Sequence, residues 1–170
     1  MTTSQARAAS AYAAVNLESR ANASGGVDLV ILLIEGVLDR IKLAKAAIAQ
    51  RDIHQKITQL NKALQIIGEG LRAHLDVNSG GEIALNLDDL YAYCSVRLLH
   101  ANSKNDVAAL DEITRLLTPL LEAWTSVRSG GAPHAVQALA DVTRSLKSSV
   151  PSMQRMYGSS AYASHATSGA

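Results

Sequence analysis

The sequence predicts an all-α fold: an antiparallel four-helix bundle with a docked N-terminal segment and an extra C-terminal helix. Apolar residues recur at steps of three and four along four separate segments, which places them on one face of a helix. No segment shows the sustained alternation of a strand, and the 170 residues include only three prolines among abundant alanine and leucine. Because the connections are short, consecutive helices are expected to be antiparallel neighbours.

The first predicted helix follows Gly25 and Gly26 and carries two apolar stripes. The main stripe has helical spacing and consists of Val30, Leu33, Val37, Ile41, Ala44 and Ile48. The second stripe lies beside it and consists of Leu29, Leu32, Gly36, Leu43 and Ala47. We therefore expect this helix to be covered on two sides.

The second predicted helix begins after Asp52, which is expected to cap it, with Gln55 closing a capping box. Its apolar stripe consists of Ile53, Ile57, Leu60, Leu64, Ile67, Leu71 and Leu75. Gly68 and Gly70 lie inside this helix, where each glycine costs roughly 1 kcal/mol. The close approach of a neighbouring helix, or of a bound peptide, would explain both glycines.

The stretch "NSGG" at residues 78–81 is predicted to be a turn that ends the second helix, with a glycine in the left-handed C-cap conformation. The third helix then carries the stripe Ile83, Leu87, Leu90, Cys94, Leu98 and Ala101. Asn105, in "NSKND", is expected to cap the fourth helix. Its stripe consists of Val107, Leu110, Thr114, Leu117, Leu121 and Trp124.

These patterns divide the chain into five parts. Residues 1–26 form an N-terminal segment that is poor in apolar bulk and must dock on the bundle to persist as a helix. The bundle core spans 27–127, and the glycine- and proline-containing stretch at 128–133 is a linker. An extra amphipathic helix is expected at 134–150, followed by a disordered tail at 151–170.

Composition excludes several classes of protein. The formal net charge is +1 with both signs scattered, which argues against a nucleic acid as the main partner. The longest apolar run, at residues 29–34, is far too short for membrane insertion, and the N-terminus lacks the apolar core of a signal peptide. A single cysteine allows no internal disulfide and fits a reducing compartment. The sequence therefore predicts a cytoplasmic protein.

No catalytic, cofactor-binding or metal site is predicted. "GEGLRA" at residues 68–73 formally matches a dinucleotide fingerprint, but it lies within a helical stripe rather than after a strand. The Glu-x-x-His pairs of a di-iron bundle are absent, and Cys94 lies on an apolar stripe, where burial makes a thiol inert. We therefore expect a protein that is not an enzyme and needs no cofactor.

One block carries a family resemblance. The run "LNKALQIIGEGLRAHLDVNSGGEIALNLDDLYAYCSVRLLHANSKND" at residues 60–106 resembles the signature of the flagellar secretion chaperone family, FliS, and the similarity extends over residues 12–124. Polar residues match as well as apolar ones: Asn61, Lys62, Asn86, Asn102 and Asp106. Where such chaperones often have "LYDG", this chain has "LIEG" at 33–36, so the tyrosine is lost and Gly36 is kept. The resemblance says nothing of residues 129–170.

The resemblance implies that the protein binds the C-terminal region of flagellin, prevents premature polymerisation, and presents flagellin to the flagellar type III export gate. An amphipathic, disordered client can wrap helix grooves of a bundle as short helices. Four of the candidate contacts are apolar residues off the main stripes. The complete candidate set is Tyr12, Leu32, Gly36, Lys62, Ile66, Gly70, Leu85, Asn86, Tyr91 and Asn102. The alternative is a helical regulatory or oligomerisation module that binds another protein.

Overall fold

The computed structural model describes residues 23–129, 137 and 139–145, and within these ranges it contains helices and no strand. Helix α1 spans Ala23–Ala49, α2 spans Ile53–Gln65, α3 spans Gly81–Lys104, and α4 spans Val107–Arg128. A π-helical segment, Ile66–Arg72, continues α2 directly. The predicted all-α class is confirmed. Residues 130–133 of the predicted linker, the predicted tail and most of the N-terminal segment lie outside the described residues.

Two ion pairs show the direction of α4 relative to α1. Lys45 Nζ lies 2.5 Å from Asp111 Oδ1, and Arg128 Nη1 lies 3.6 Å from Asp28 Oδ1. The residue late in α1 therefore pairs with one early in α4, and the residue early in α1 pairs with one late in α4. The two helices run antiparallel, and the end of the bundle lies beside its beginning.

Helix α3 runs antiparallel to α2 and its π-helical continuation. At one end, Lys56 Nζ donates to Asn105 Oδ1 at 2.7 Å, and at the other end Arg72 Nε donates to Asp88 Oδ1 at 2.6 Å. Since α1 packs on α2 and α4, and α3 packs on α2 and α4, the four helices form a closed ring around one core. This arrangement is the predicted antiparallel four-helix bundle.

The core is a single cluster of apolar side chains contributed by all four helices and the π-helical segment. Its largest fully buried members are Trp124, Tyr91, Ile34, Ile41, Leu60, Ile67, Leu71, Leu87, Leu98, Leu110 and Ile113. Leu139, from the helical residues beyond α4, belongs to the same cluster. None of the helices in the described ranges is both long and apolar enough to cross a membrane.

The predicted start of α2 is confirmed in one part and wrong in the other. The Asp52 side chain accepts a hydrogen bond from Gln55 N at 3.0 Å, as a helix cap should. The Gln55 side chain does not close a capping box, because its Oε1 accepts from Gln59 Nε2 at 3.2 Å. The backbone N–H of Asp52 instead donates to Ala47 O at 2.9 Å, so the tight turn after α1 satisfies the donor that the box would have served.

The predicted cap of α4 is wrong by one residue. Asp106 caps the helix, since its side chain accepts from Ala109 N at 3.1 Å. Asn105 instead ends α3 with φ of 52°, in the left-handed conformation that asparagine tolerates better than most residues. With the two roles on adjacent residues, α3 passes into α4 through a very short connection.

The turn before α3 also differs from the prediction. The helix ends at Arg72, well before "NSGG", and the Asp76 side chain accepts from the backbone of Asn78 and Ser79 at 3.1 and 2.9 Å. The glycine with positive φ is Gly81, at 60°, and it opens α3 rather than ending α2. An aspartate turn thus replaces the predicted glycine C-cap.

Candidate functional site

An open groove of about 540 Å³ lies on the outer surface between α1 and α2. We call it the α1–α2 groove. Its lining comes from α1 on one side and from α2 with the π-helical segment on the other: Arg40, Lys62, Gln65, Ile66, Glu69 and Gly70. The groove is open to solvent and lies between two antiparallel helices, where a helical segment of a partner could lie against it.

Two glycines let the helices approach each other at this groove. A Cβ placed on Gly70 would lie 3.1 Å from Cδ2 and 3.3 Å from Cδ1 of Leu33, and a Cβ placed on Gly36 would lie 3.4 Å from Cδ1 of Ile66. The Leu33 side chain therefore occupies the space that a side chain at position 70 would need. The expectation of close approach is confirmed for Gly70, whereas nothing lies within 4 Å of a Cβ placed on Gly68.

The π-helical register occurs on the wall of the groove, from Ile66 to Arg72. The backbone N–H of Ala73 donates to Gly68 O at 2.9 Å, which is the five-residue step of a π-helix. π-Helical turns are rare and are frequent at functional sites. Here the segment supplies Ile66 and Gly70 to the groove, so the local backbone geometry shapes its wall.

One apolar side chain lies among polar and charged side chains in the groove. Half-buried Ile66 provides an apolar patch, while Arg40, Lys62 and Glu69 place both signs of charge around it. Arg40 Nη1 donates to Gln59 Oε1 at 3.0 Å, and Gln65 Nε2 donates to Glu69 Oε2 at 3.0 Å. An amphipathic helix could place an apolar residue on Ile66 and pair its polar residues with the charged side chains around it.

The structure brings four of the ten predicted contact residues together. Gly36, Lys62, Ile66 and Gly70 all lie at the α1–α2 groove. Leu32 stands one helical turn before Gly36, and its side chain is 64% exposed. An exposed leucine beside the groove extends the apolar surface along α1.

The remaining predicted contacts lie elsewhere. Leu85 is exposed and Asn86 half-buried near the start of α3. Asn102 is half-buried, and its backbone carbonyl accepts from Lys56 Nζ at 2.8 Å. The expectation that Tyr91 is exposed to a client is wrong, because its side chain is fully buried in the core. Tyr12 lies outside the described residues.

Several surface residues escaped the sequence prediction. Gln65 and Glu69 line the groove one turn apart, and the spacing from Lys62 and Ile66 would have placed them on the same helix face. Other large apolar side chains are exposed and do not line the groove: Leu43, Ile53, Ile57 and Leu99. The prediction that Ile53 and Ile57 belong to the buried stripe of α2 is therefore wrong. Arg40 gave no signal of its own, because a single charged residue on α1 is typical of any solvated helix face.

The interior offers no reactive centre in the part of the chain that the structure describes. Burial raises the pKa of the Cys94 thiol to about 12, so the nucleophilic thiolate is scarce at neutral pH. Burial, followed by the hydrogen bond to Glu112, raises the pKa of Tyr93 to about 12 as well. No cluster of histidine, cysteine and carboxylate side chains that could hold a metal occurs among residues 23–129, 137 and 139–145.

Comparison with known proteins assigns the chain to a family. Residues 8–130 match the family profile described as flagellar protein FliS. The chain is 40% identical over 117 residues to the flagellar secretion chaperone FliS of Salmonella typhimurium, covering 69% of this chain and 87% of the relative. It is 39% identical over 116 residues to the flagellar secretion chaperone FliSB of Pseudomonas aeruginosa, covering 68% and 91%. The FliS chaperone of Bacillus subtilis is 34% identical over 113 residues, covering 66% and 82%. The chain therefore belongs to the FliS family.

Proposed function

We propose that this protein is a cytoplasmic export chaperone that binds the C-terminal region of flagellin, prevents its premature polymerisation and delivers it to the flagellar type III export apparatus. FliS is a chaperone family and not a family of enzymes. Family membership supports the general role in flagellar export. The identity of the client and the compartment are the specific parts of the proposal.

The α1–α2 groove is the observation that carries the proposal. Family membership alone names no surface, whereas this groove places half-buried Ile66 among charged side chains, beside the close contact between Gly70 and Leu33. A disordered client that becomes helical in a groove loses ordering entropy, so it needs a long apolar contact. Exposed Leu32, adjoining the groove, lengthens that contact along α1.

We further propose that the four-helix core, residues 27–127, is sufficient for client recognition. The groove and Leu32 all lie within this range, as does the whole ring of four helices apart from the outermost turns. We propose that the N-terminal segment, including Tyr12, docks on the same bundle. We also propose that the chaperone delivers flagellin to the export gate while flagellin is bound to it.

Titration with a flagellin C-terminal segment tests the client. We expect one-to-one binding by calorimetry, and a circular dichroism signal of the mixture that exceeds the sum of its parts because the client gains helix. Leu32→Asp should weaken binding by about tenfold or more, since a carboxylate would be desolvated in the contact. Ile53→Asp is the matched control, because Leu32 and Ile53 are both 64% exposed and Ile53 lies far from the groove, at the start of α2.

Two outcomes would contradict the proposal. Absence of binding to the host's own flagellins at high micromolar concentration would remove flagellin as the client and leave the alternative of a helical module for another protein. Equal losses from Leu32→Asp and Ile53→Asp would keep the client but reject the α1–α2 groove as its site.

A further inference from the structure

A helix beyond the family-matching region packs on the bundle. Residues 137 and 139–145 are helical, whereas the family profile ends at residue 130. Leu139 is 0% exposed and Thr143 is 2% exposed, and Leu139 belongs to the same apolar cluster as the four bundle helices. The bundle surface beneath these two residues therefore accepts a helix.

The opposite side of this C-terminal helix is polar. Gln137 Nε2 donates to Asp141 Oδ1 at 3.0 Å, and Arg144 Nη1 donates to the same oxygen at 3.2 Å. All three of these side chains are exposed, while Leu139 and Thr143 are four residues apart and face inward. The segment is thus an amphipathic helix bound to the bundle by its apolar face, which is the chemistry proposed for the client.

The described part of this helix has two buried side chains. Among the described residues of this helix only Leu139 and Thr143 are buried, and Thr143 keeps its hydroxyl satisfied by donating to Ala140 O at 3.1 Å. Most of the stability of a helix in a protein comes from packing of its apolar face, so Leu139 is an anchor of this segment. A competing amphipathic helix can replace this segment when it binds the same surface more favourably.

We propose that the bundle surface beneath Leu139 and Thr143 is a second helix-binding surface, occupied in the resting protein by the chain's own C-terminal helix. An incoming amphipathic helix of the client exchanges with that helix, which makes the extension an internal competitor. The identity of the client rests on the proposed function, but the helix-binding surface does not, because the chain's own segment occupies it.

Two substitutions in the full-length protein should change the binding of the C-terminal helix to the bundle in opposite directions. Leu139→Ala removes the main apolar anchor and should free the surface, while Thr143→Val replaces a buried hydroxyl by a methyl group and should hold the helix more tightly. Leu99→Ala is the matched control, because Leu99 is exposed on α3. Hydrogen exchange should quicken at residues 139–145 in Leu139→Ala and slow in Thr143→Val, with no change in Leu99→Ala.

Binding of the helix itself in trans tests the surface without flagellin. A labelled peptide of residues 134–150 should bind Leu139→Ala about threefold or more tightly than the wild-type protein, because the internal competitor is weakened. The flagellin C-terminal segment should bind Leu139→Ala most tightly, the wild-type protein less tightly and Thr143→Val least tightly.

The results separate the two ideas. Equal peptide binding by wild type and Leu139→Ala would overturn the helix-binding surface. If the peptide binds the variants with different affinities but flagellin binds all of them equally well, the exchange with the client would be overturned. If the peptide distinguishes the variants and flagellin binds none of them, the surface stands and the proposed flagellin client fails.

Discussion

Gly68 and Gly70 are only two residues apart in the π-helical segment, yet their surroundings differ completely. A Cβ at Gly70 would press on the Leu33 side chain, while a Cβ at Gly68 would meet no atom within 4 Å. One glycine therefore permits a contact between helices, and the other serves no contact that packing explains. Both positions are glycines within one helical segment, so helix propensity predicts the same effect of substitution at each. A different effect at the two positions would therefore test the packing that the structure shows.

Replacing each glycine by alanine should separate the two roles. Gly68→Ala is expected to stabilise the fold by about 0.5–1 kcal/mol, because alanine loses less backbone entropy on folding. Gly70→Ala should gain nothing or lose stability, since Leu33 must shift to admit the new methyl group. Urea unfolding of the two variants side by side measures the difference, and a Gly70→Ala protein as stable as Gly68→Ala would reject the close contact.

The buried thiol gives the stability of the fold a pH dependence of known sign. Burial raises the pKa of Cys94 from 9.0 to about 12. Above about pH 9 the unfolded chain loses this proton while the folded chain keeps it, so the free energy of unfolding falls as pH rises. One thiol contributes at most about 1.4 kcal/mol per pH unit in this window.

Cys94→Ala isolates this contribution. The variant is expected to lose stability at every pH because a small cavity forms, but its decline above about pH 9 should be shallower than that of the wild type. Tyr93, whose pKa is also raised, titrates in both proteins, and most of its contribution cancels because the charge of Cys94 is the smallest of the causes of its shift. If urea unfolding shows that the free energies of unfolding of the two proteins fall equally from about pH 8 to about pH 10, the pKa of Cys94 is not raised by folding.

At the scale of the helices, Lys56 joins α2 to the end of α3. Its side chain is only 6% exposed, and its ammonium group donates to Asn102 O at 2.8 Å and to Asn105 Oδ1 at 2.7 Å. Asn105 is also the left-handed residue that ends α3. One buried lysine therefore holds both the last turn of a helix and the residue that terminates it.

Lys56→Met keeps the apolar stem and removes the charged donor. We expect a loss of about 1–3 kcal/mol in the free energy of unfolding, because a half-buried carbonyl and the capping amide lose a charged partner. Lys62→Met provides the control at an exposed position of the same helix, where the change should stay within about 0.5 kcal/mol. Similar effects of the two substitutions, measured by urea unfolding, would show that Lys56 does not stabilise the end of α3.

The sequence predicts helices better than it predicts their ends. Apolar spacing locates all four helices, because the core of a bundle imposes a stripe on each. Asp52 is recognised as a cap, but Asn105 and Asp106 both carry capping side chains, and only the backbone conformation assigns the C-cap to one and the N-cap to the other. The π-helical register leaves no pattern in sequence, since the same apolar residues fit an α-helix of similar length.

The candidate site is predictable only in part for the same reason. Gly36, Lys62, Ile66 and Gly70 are recognisable from sequence, but their common position between α1 and α2 follows only from the packing of those helices. Tyr91 is misjudged because apolar spacing assigns α3 a single stripe. Helix α3 contacts both α2 and α4, so its buried face is wider than that stripe and includes the tyrosine ring.

At the scale of the whole molecule, one continuous cluster joins all four helices. No bundle helix has a separate core, so we expect the bundle to unfold in a single cooperative transition. Trp124, the only tryptophan, is fully buried on α4 and reports the loss of tertiary packing. Its fluorescence and the far-ultraviolet circular dichroism should give the same urea midpoint, and two separate midpoints would contradict a shared core.

The pairing of Arg128 with Asp28 places the last turn of α4 beside the first turns of α1, at 3.6 Å between the two charged groups. The covalent order of the helices is therefore only one of several that the same ring of contacts permits. A circular permutant that links residue 129 to residue 23 and opens the chain between Arg51 and Asp52 should retain the bundle, because the break falls in an exposed turn. In such a protein both new termini would emerge at the opposite end of the bundle, where a tether or a fluorophore would stand clear of the new link between residues 129 and 23.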